Sequence, residues 1–328
     1  MGAQRGRQPG SAGDLPLHVH FERKTMSFLD PLEMGLGTWA WGKGQVWGFG
    51  KDYGTEDLRK AFRTAIDNGV HLIDTAEVYG NGQSESFVGE FLKEKPGEKI
   101  YVATKFAPNP NRFSTSRLLK ALKASLSRLG LSSVDLYQMH WWSPPRSIKA
   151  WMEPMAEAVK EGLAKELGVS NYTLNQMRRA QDCLATYGVS LASNQMQYSL
   201  VRRKFEFNGL LEECKKTNVR FIAYSPLGMG MLSGKYSPQN PPSGPRRLFY
   251  FGQLGRVQKL GEKIKEMGAA HGKTVNQVAL NWVLCKGALP IPGGKTAEQV
   301  KENAGAMGWR LTEGEVIKLD EASKGFKG

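Results

Sequence analysis

The chain of 328 residues has three cysteines, five histidines and no apolar run near the ~18 residues that a membrane span requires. Cys183, Cys214 and Cys285 stand alone, without the close paired spacings of a zinc site or redox dithiol. They read as reduced structural thiols in a reducing compartment. Acidic residues are the minority, 31 against 45 Lys and Arg, giving a net charge of +14. That excess points to nucleic acid or a membrane surface only where cations gather with aromatics into a stripe. Here they scatter along amphipathic helices, and Arg202, Arg203 and Lys204, like Arg246 and Arg247, read as solvated loop charge. No nucleic-acid or membrane partner is therefore expected, and the positive field is instead suited to drawing in a phosphate-bearing cofactor. Also missing are a nucleophile elbow with a Ser-His-Asp set, metal-ligand spacing, a P-loop and a GxGxxG after a strand. Hydrolysis, metal chemistry and kinase activity lose ground accordingly, and no metal is expected.

What is there is a chain 40% hydrophobic and long enough for one large core. Residues 1–25 carry Arg5, Arg7, Ser11, Arg23 and Lys24 without a long apolar stretch, which excludes a secretory signal. An organelle transit peptide is one reading, weakened by Asp14 and Glu22; a divergent or disordered start is the other. From about Leu32 onward, short apolar runs alternate with segments of helical period, the pattern of repeated βα units around a parallel sheet. Strands are expected at 32–39, 71–75, 100–105, 134–140, 165–170, 191–195, 220–225 and 288–292. Helical signals lie between them: Thr55 as a cap with Gly69 as a stop, and a stripe of Leu118, Leu119, Leu122, Leu126 and Leu129. Helices over 257–271 and 274–285 fill the gap before the last strand, and one over 312–323 nearly closes the chain. The expected fold is an α/β (β/α)8 barrel spanning 26–328, with the Gly- and Pro-rich stretch 228–255 lying over its mouth.

A parallel barrel presents its active site at the carboxyl ends of its strands. Those ends hold Asp74, Lys105, His140, Ser170 with Asn171, Gln195, and Tyr224 with Ser225. Taken singly, each has an ordinary explanation: His140 as a core histidine satisfied by backbone, Tyr79 as an exposed loop aromatic. As a set they mark a site. A lysine ammonium buried beside a phenol stabilises phenolate and eases proton release. Tyr79 is thus the expected general acid, Asp74 the group that keeps Lys105 charged, and His140 the group that orients a substrate oxygen and shares in the proton transfer. A proton donor without a nucleophile suits hydride delivered by an external cofactor.

These residues sit in LGTWAWG, LIDTAEVYG, ATKF, SSVDLYQMHW, LGVSNY, SNQMQYS, IAYSPLGMGMLSGKY and PIPGGKTAEQVKENAGAM, and through them the chain resembles the aldo-keto reductase family from about Leu36 to Ser323. DTAEVYG, NPPSGPR and the last motif look most like its plant and cyanobacterial plastid-type members. The resemblance implies reduction of an aldehyde or ketone by NADPH, with Asp74, Tyr79, Lys105 and His140 as the catalytic tetrad. It implies that Ser170, Asn171 and Gln195 bind the nicotinamide carboxamide, that Tyr224 stacks on that ring, and that Thr38, Trp39, Ser225 and Leu227 also meet the cofactor. Gly293 and Gly294 would let the backbone approach the nucleotide. Lys295 and Gln299 would meet the ribose phosphate, and Glu302 and Asn303 the adenine; a cation at Lys295 favours NADPH over NADH. Taken by itself, Lys295 reads as a solvated loop lysine.

Two departures from the family pattern bear on the pocket. The segment 21–33 lacks a clear amino-terminal hairpin, so an incomplete or altered barrel floor is expected. The chain also stops soon after its last helix, leaving substrate fit to Trp39, Trp41, Trp141, Trp142 and the 228–255 loop, with Tyr79 and His140 meeting the small carbonyl substrate. The same tetrad would equally serve a cofactor-binding regulatory subunit of the potassium-channel beta-subunit type. A plastid or the cytoplasm is the expected compartment, and the sequence leaves the oligomeric state open.

Overall fold

The computed structural model describes residues 26–43, 47–109, 112, 114, 116–242 and 252–326. Expectations for residues 1–25, for Arg246 and Arg247, and for 243–251 of the long loop fall outside these. Eight strands form one sheet in sequential order, every neighbouring pair parallel: β1 (Gly35–Gly37), β2 (Leu72–Asp74), β3 (Tyr101–Phe106), β4 (Val134–Met139), β5 (Ala164–Ser170), β6 (Leu191–Gln197), β7 (Arg220–Tyr224) and β8 (Leu289–Ile291). A bridge between Gly37 and Gly293 closes the ring, with the Gly37 N–H donating to Pro292 O at 3.0 Å. The result is the expected (β/α)8 barrel. Glycine makes this seam possible, because a Cβ on Gly35 would lie 2.9 Å from Ile291 Cγ2, and one on Gly37 would lie 3.0 Å from Ile291 O.

The helices are α1 (Thr55–Asp67), α2 (Gln83–Leu92), α3 (Ser116–Leu129), α4 (Ile148–Lys160), α5 (Leu174–Ala185), α6 (Lys204–Phe207), α7 (Leu210–Lys216), α8 (Leu254–His271), α9 (Val275–Cys285), α10 (Ala297–Ala304) and α11 (Glu313–Ala322). In α3, Leu118, Leu122, Leu126 and Leu129 are buried as the stripe predicts, and Leu119 is partly so. The start of α1 differs by one residue: Gly54 is the cap, its N–H donating to Asp57 Oδ2, and Thr55 opens the helix. The short side chain of Asp57 reaches back three residues, so the cap needs no hydroxyl.

The alternation of side chains along each strand sets the level of the site. Leu72, Ala103 and Leu136 point into the barrel with Ala192, Ile222, Leu289 and Ile291. Two residues further along β2, β3 and β4, the same face carries Asp74, Lys105 and Gln138. Apolar filling therefore ends one layer below the mouth, and a polar layer begins. The opposite end is closed by a turn: Leu29, fully buried, plugs the interior, Ser27 Oγ and the Phe28 N–H donate to the Glu166 carboxylate, and Phe28 stacks on Tyr101. Residues 26–33 thus close the floor with a turn, and the part of the expectation that falls on 21–25 lies outside the described residues.

Candidate active site

Asp74 ends β2 and Lys105 lies near the end of β3; both are almost wholly buried, and Lys105 Nζ donates to Asp74 Oδ1 at 2.5 Å and to Thr75 O at 2.9 Å. A buried ammonium needs such partners. Its third neighbour is the Tyr79 hydroxyl at 3.4 Å. Tyr79 opens a tight turn, Tyr79–Gly82, in which Gly80, Asn81 and Gly82 all adopt positive φ. Glycine at two of these three positions is what lets the chain double back and aim the phenol at Lys105. His140 follows β4, its N–H donating to Phe106 O, and its ring meets that of Tyr79 edge-on at 5.7 Å.

Burial raises the Tyr79 pKa and the Lys105 charge pulls it back in part, leaving it above the ordinary phenol value. Lys105 thus offsets part of the cost of burial, and the phenol stays protonated at neutral pH. For Lys105 itself burial disfavours the ammonium, but Asp74 and then Tyr79 outweigh it, so the pKa rises. His140 is pushed down to about 3, first by burial and then by Lys105, so its imidazole is neutral. A neutral ring can donate one hydrogen bond to a carbonyl oxygen but holds no spare proton, which narrows its share in proton transfer. Its Nδ1 is buried and has no hydrogen-bond partner among the described residues.

These groups face a cavity of about 630 Å³ lined by β-strand ends and by both sides of the seam. Thr38, Trp39, Asp74, Tyr79, His140, Trp141, Ser170, Asn171, Gln195, Tyr224, Ser225, Leu227, Gly293, Lys295, Gln299, Glu302 and Asn303 all line it, and Lys105 lies just behind. Ser170 Oγ donates to Gln195 O, Asn171 Nδ2 to His140 O, and Tyr224 Oη to Asn171 Oδ1. The Gln195 amide donates to Asp74 Oδ2 at 2.8 Å. The front of the expected loop reaches the mouth through Met229, Gly230, Ser233, Lys235 and Tyr236.

Three expectations are corrected. Trp41 is fully buried outside the cavity, its indole N–H donating to Gly294 O and its ring meeting Phe91, so it is core and not a substrate contact. Trp142 likewise leaves the pocket wall: its indole N–H donates to Arg146 O and its ring packs against the core. Gly294 does not line the cavity, and its lack of a side chain is explained by packing, since a Cβ would lie 2.3 Å from Val300 Cγ2. Gly293 by contrast lines the cavity, and among the described residues only Gly37 O lies within 4 Å of where its Cβ would be.

The sequence reading missed Gln138, which donates to Asp74 Oδ2 at 3.2 Å and accepts from Gln195 at 3.3 Å. Its signal was a polar residue in phase with Leu136 inside an apolar strand. Lys235 carried a signal too, being the cation of LSGKY. Trp47, which meets Trp39 edge-on at 5.3 Å, sits in the glycine-rich stretch 42–50 where no period announces it.

Fold and site together define a (β/α)8 barrel whose mouth gathers a phenol, an ammonium and an imidazole beside a long cleft. Comparison with known proteins gives the class a family: the aldo/keto reductase family model matches residues 33–324. The chain belongs to the aldo/keto reductase family. It is 40% identical over 323 residues to the chloroplastic pyridoxal reductase of Arabidopsis thaliana, covering 94% of this chain and 88% of that protein. It is 30% identical to the aldo-keto reductase YhdN of Bacillus subtilis, over 86% and 87% of the two chains. Among solved structures it matches the glycerol dehydrogenase of Gluconobacter oxydans with a TM-score of 0.77 at 28% identity, covering 90% and 92%. An aldo-keto reductase of Klebsiella pneumoniae in complex with NADPH matches with a TM-score of 0.71 at 28% identity, covering 90% and 91%. The channel-subunit reading gains no support from these relatives.

Proposed function

We propose that the protein reduces an aldehyde or ketone to the alcohol with NADPH, and that residues 26–328 act as one catalytic domain. The observation that carries this is the contact of a buried, charged Lys105 with a protonated Tyr79 beside a cleft of about 630 Å³. The lining of the cleft suits that cofactor chemically. Lys235 and Lys295 supply cations for phosphates, Gly293 leaves room for backbone approach, and Tyr224 offers a ring face beside the Ser170 hydroxyl and the Asn171 and Gln195 amides. When bound, NADPH supplies the hydride. Tyr79 gives its hydroxyl proton to the substrate oxygen, while Lys105, held by Asp74, disperses the charge left on the phenolate. His140 donates a neutral hydrogen bond that points the carbonyl oxygen at Tyr79. Trp39, Trp47 and Trp141 exclude water and offer flat apolar faces, so flat or aromatic carbonyl compounds are the substrates of choice.

The test is loss of NADPH absorbance with a panel of aldehydes and ketones, pyridoxal among them. Tyr79→Phe is expected to slow turnover roughly a hundred- to ten-thousand-fold while leaving NADPH affinity unchanged. Full turnover in that variant overturns the assignment of the acid. We further propose that the reaction takes place in the plastid, on the likeness to a chloroplastic relative. Retention of a fluorescent fusion of the whole chain in the cytosol would count against it.

A further inference from the structure

Gln138 stands on β4 two residues before His140, level with Lys105 on β3 and with Gly168 on β5. It is fully buried and in phase with Leu136, at a position where an apolar side chain would have no polar group to satisfy. A carboxylate oxygen only accepts, so Gln138 Nε2 must face Asp74 Oδ2, which leaves Gln138 Oε1 to accept from Gln195 Nε2. Gln195 Nε2 donates to Asp74 Oδ2 as well. One oxygen of Asp74 thus takes both amides, and the other takes Lys105 Nζ. The three hydrogens of the ammonium are then divided among Asp74 Oδ1, Thr75 O and the Tyr79 hydroxyl. Room for the glutamine comes from Gly168, where a Cβ would lie 3.0 Å from Gln138 Cγ and 2.3 Å from Ser193 Oγ.

We propose that Gln138 is a positioning residue for the proton transfer: by holding Asp74 Oδ2 away from Lys105 it limits the carboxylate to one hydrogen of the ammonium and keeps another for Tyr79. The inference rests on the reductase reading above and deepens it. A carboxylate released from its amides turns both oxygens to a neighbouring ammonium, because a second charge-assisted bond is stronger than one to an amide. Lys105 has no hydrogen to spare for that, since Thr75 O already takes one. The Tyr79 contact, at 3.4 Å the longest of the three, is the first to give way. Gln195 alone does not secure the carboxylate, as it lines the cleft and is open to a ligand there, whereas Gln138 has no exposed surface.

The experiment is steady-state reduction of nitrobenzaldehyde, or of pyridoxal should that be the better substrate, by the full chain and by Gln138→Met, which keeps the volume and drops the amide. In the variant kcat is expected to fall about ten- to a hundredfold, while KM for the aldehyde and Kd for NADPH stay within about twofold. The same substitution made on Asp74→Asn is expected to change kcat by less than about twofold, since the charge through which Gln138 acts is already gone. Gln138→Leu takes the place of Gln138→Met should that variant not fold. A loss of stability in urea with kcat unchanged, a loss of NADPH affinity with kcat unchanged, or equal losses of kcat on both backgrounds overturns the inference and leaves the reductase reading standing. Failure of the unaltered protein to reduce any carbonyl compound overturns both.

Discussion

Lys105 sits with no exposed surface between a carboxylate and a phenol, so its removal acts on stability and on chemistry by separate routes. In Lys105→Met the Asp74 charge is stranded in the barrel interior, a change that costs about 3–5 kcal/mol. Neutralising it as well, in Lys105→Met with Asp74→Asn, should restore most of the urea midpoint but none of the turnover. Equal loss of stability in single and double variants would show that packing, not charge, holds this layer. At this scale the chemistry was legible, because Asp74, Lys105 and His140 are polar ends on apolar strands and Tyr79 follows a few residues after Asp74. Trp41 was not, since a tryptophan beside a strand end reads the same whether its ring turns to the cleft or, as here, sinks to meet Phe91.

The elements that carry these groups depend on close approaches that only backbone geometry reveals. On α2, which directly follows the Tyr79 turn, a Cβ on Gly89 would stand 2.6 Å from the carbonyl oxygens of both Arg128 and Leu129 in the last turn of α3. Gly89→Ala must therefore push α2 outward, with an expected cost of about 1–3 kcal/mol in urea unfolding. Because the Tyr79 turn moves with α2, kcat should fall while NADPH affinity holds; an unchanged kcat would mean that the turn is anchored independently. Long periodic helices such as α3 were readable from their apolar spacing. The three-residue strands β1, β2 and β8 were readable in position but not in length, as pairing with neighbours decides how much of an extended segment joins the ladder. The turn at Tyr79–Gly82 left only its glycines as a trace.

Across the whole molecule, the site places a pH limit on stability. Burial holds His140 neutral, with its pKa at about 3 against the ordinary 6.5. Between those values the unfolded chain takes up a proton that the folded one refuses, so stability is fully present above about pH 6.5 and is lost as pH falls toward 3. The slope from this group has a ceiling of about 1.4 kcal/mol per pH unit. Stability measured by urea unfolding across this range should flatten in His140→Gln, and an unaltered slope would assign acid lability to other groups. The barrel itself was foreseeable from eight repeated βα units, whereas the turn that stoppers it was not, because Leu29 lies in a stretch with neither helical nor strand period. The ring of strands is joined at one point by little more than the Gly37 and Gly293 backbones, and the cleft runs over that very joint. A dinucleotide lying there acts as a clasp on the hoop as well as a reagent, so the temperature of unfolding should climb with each increment of cofactor added.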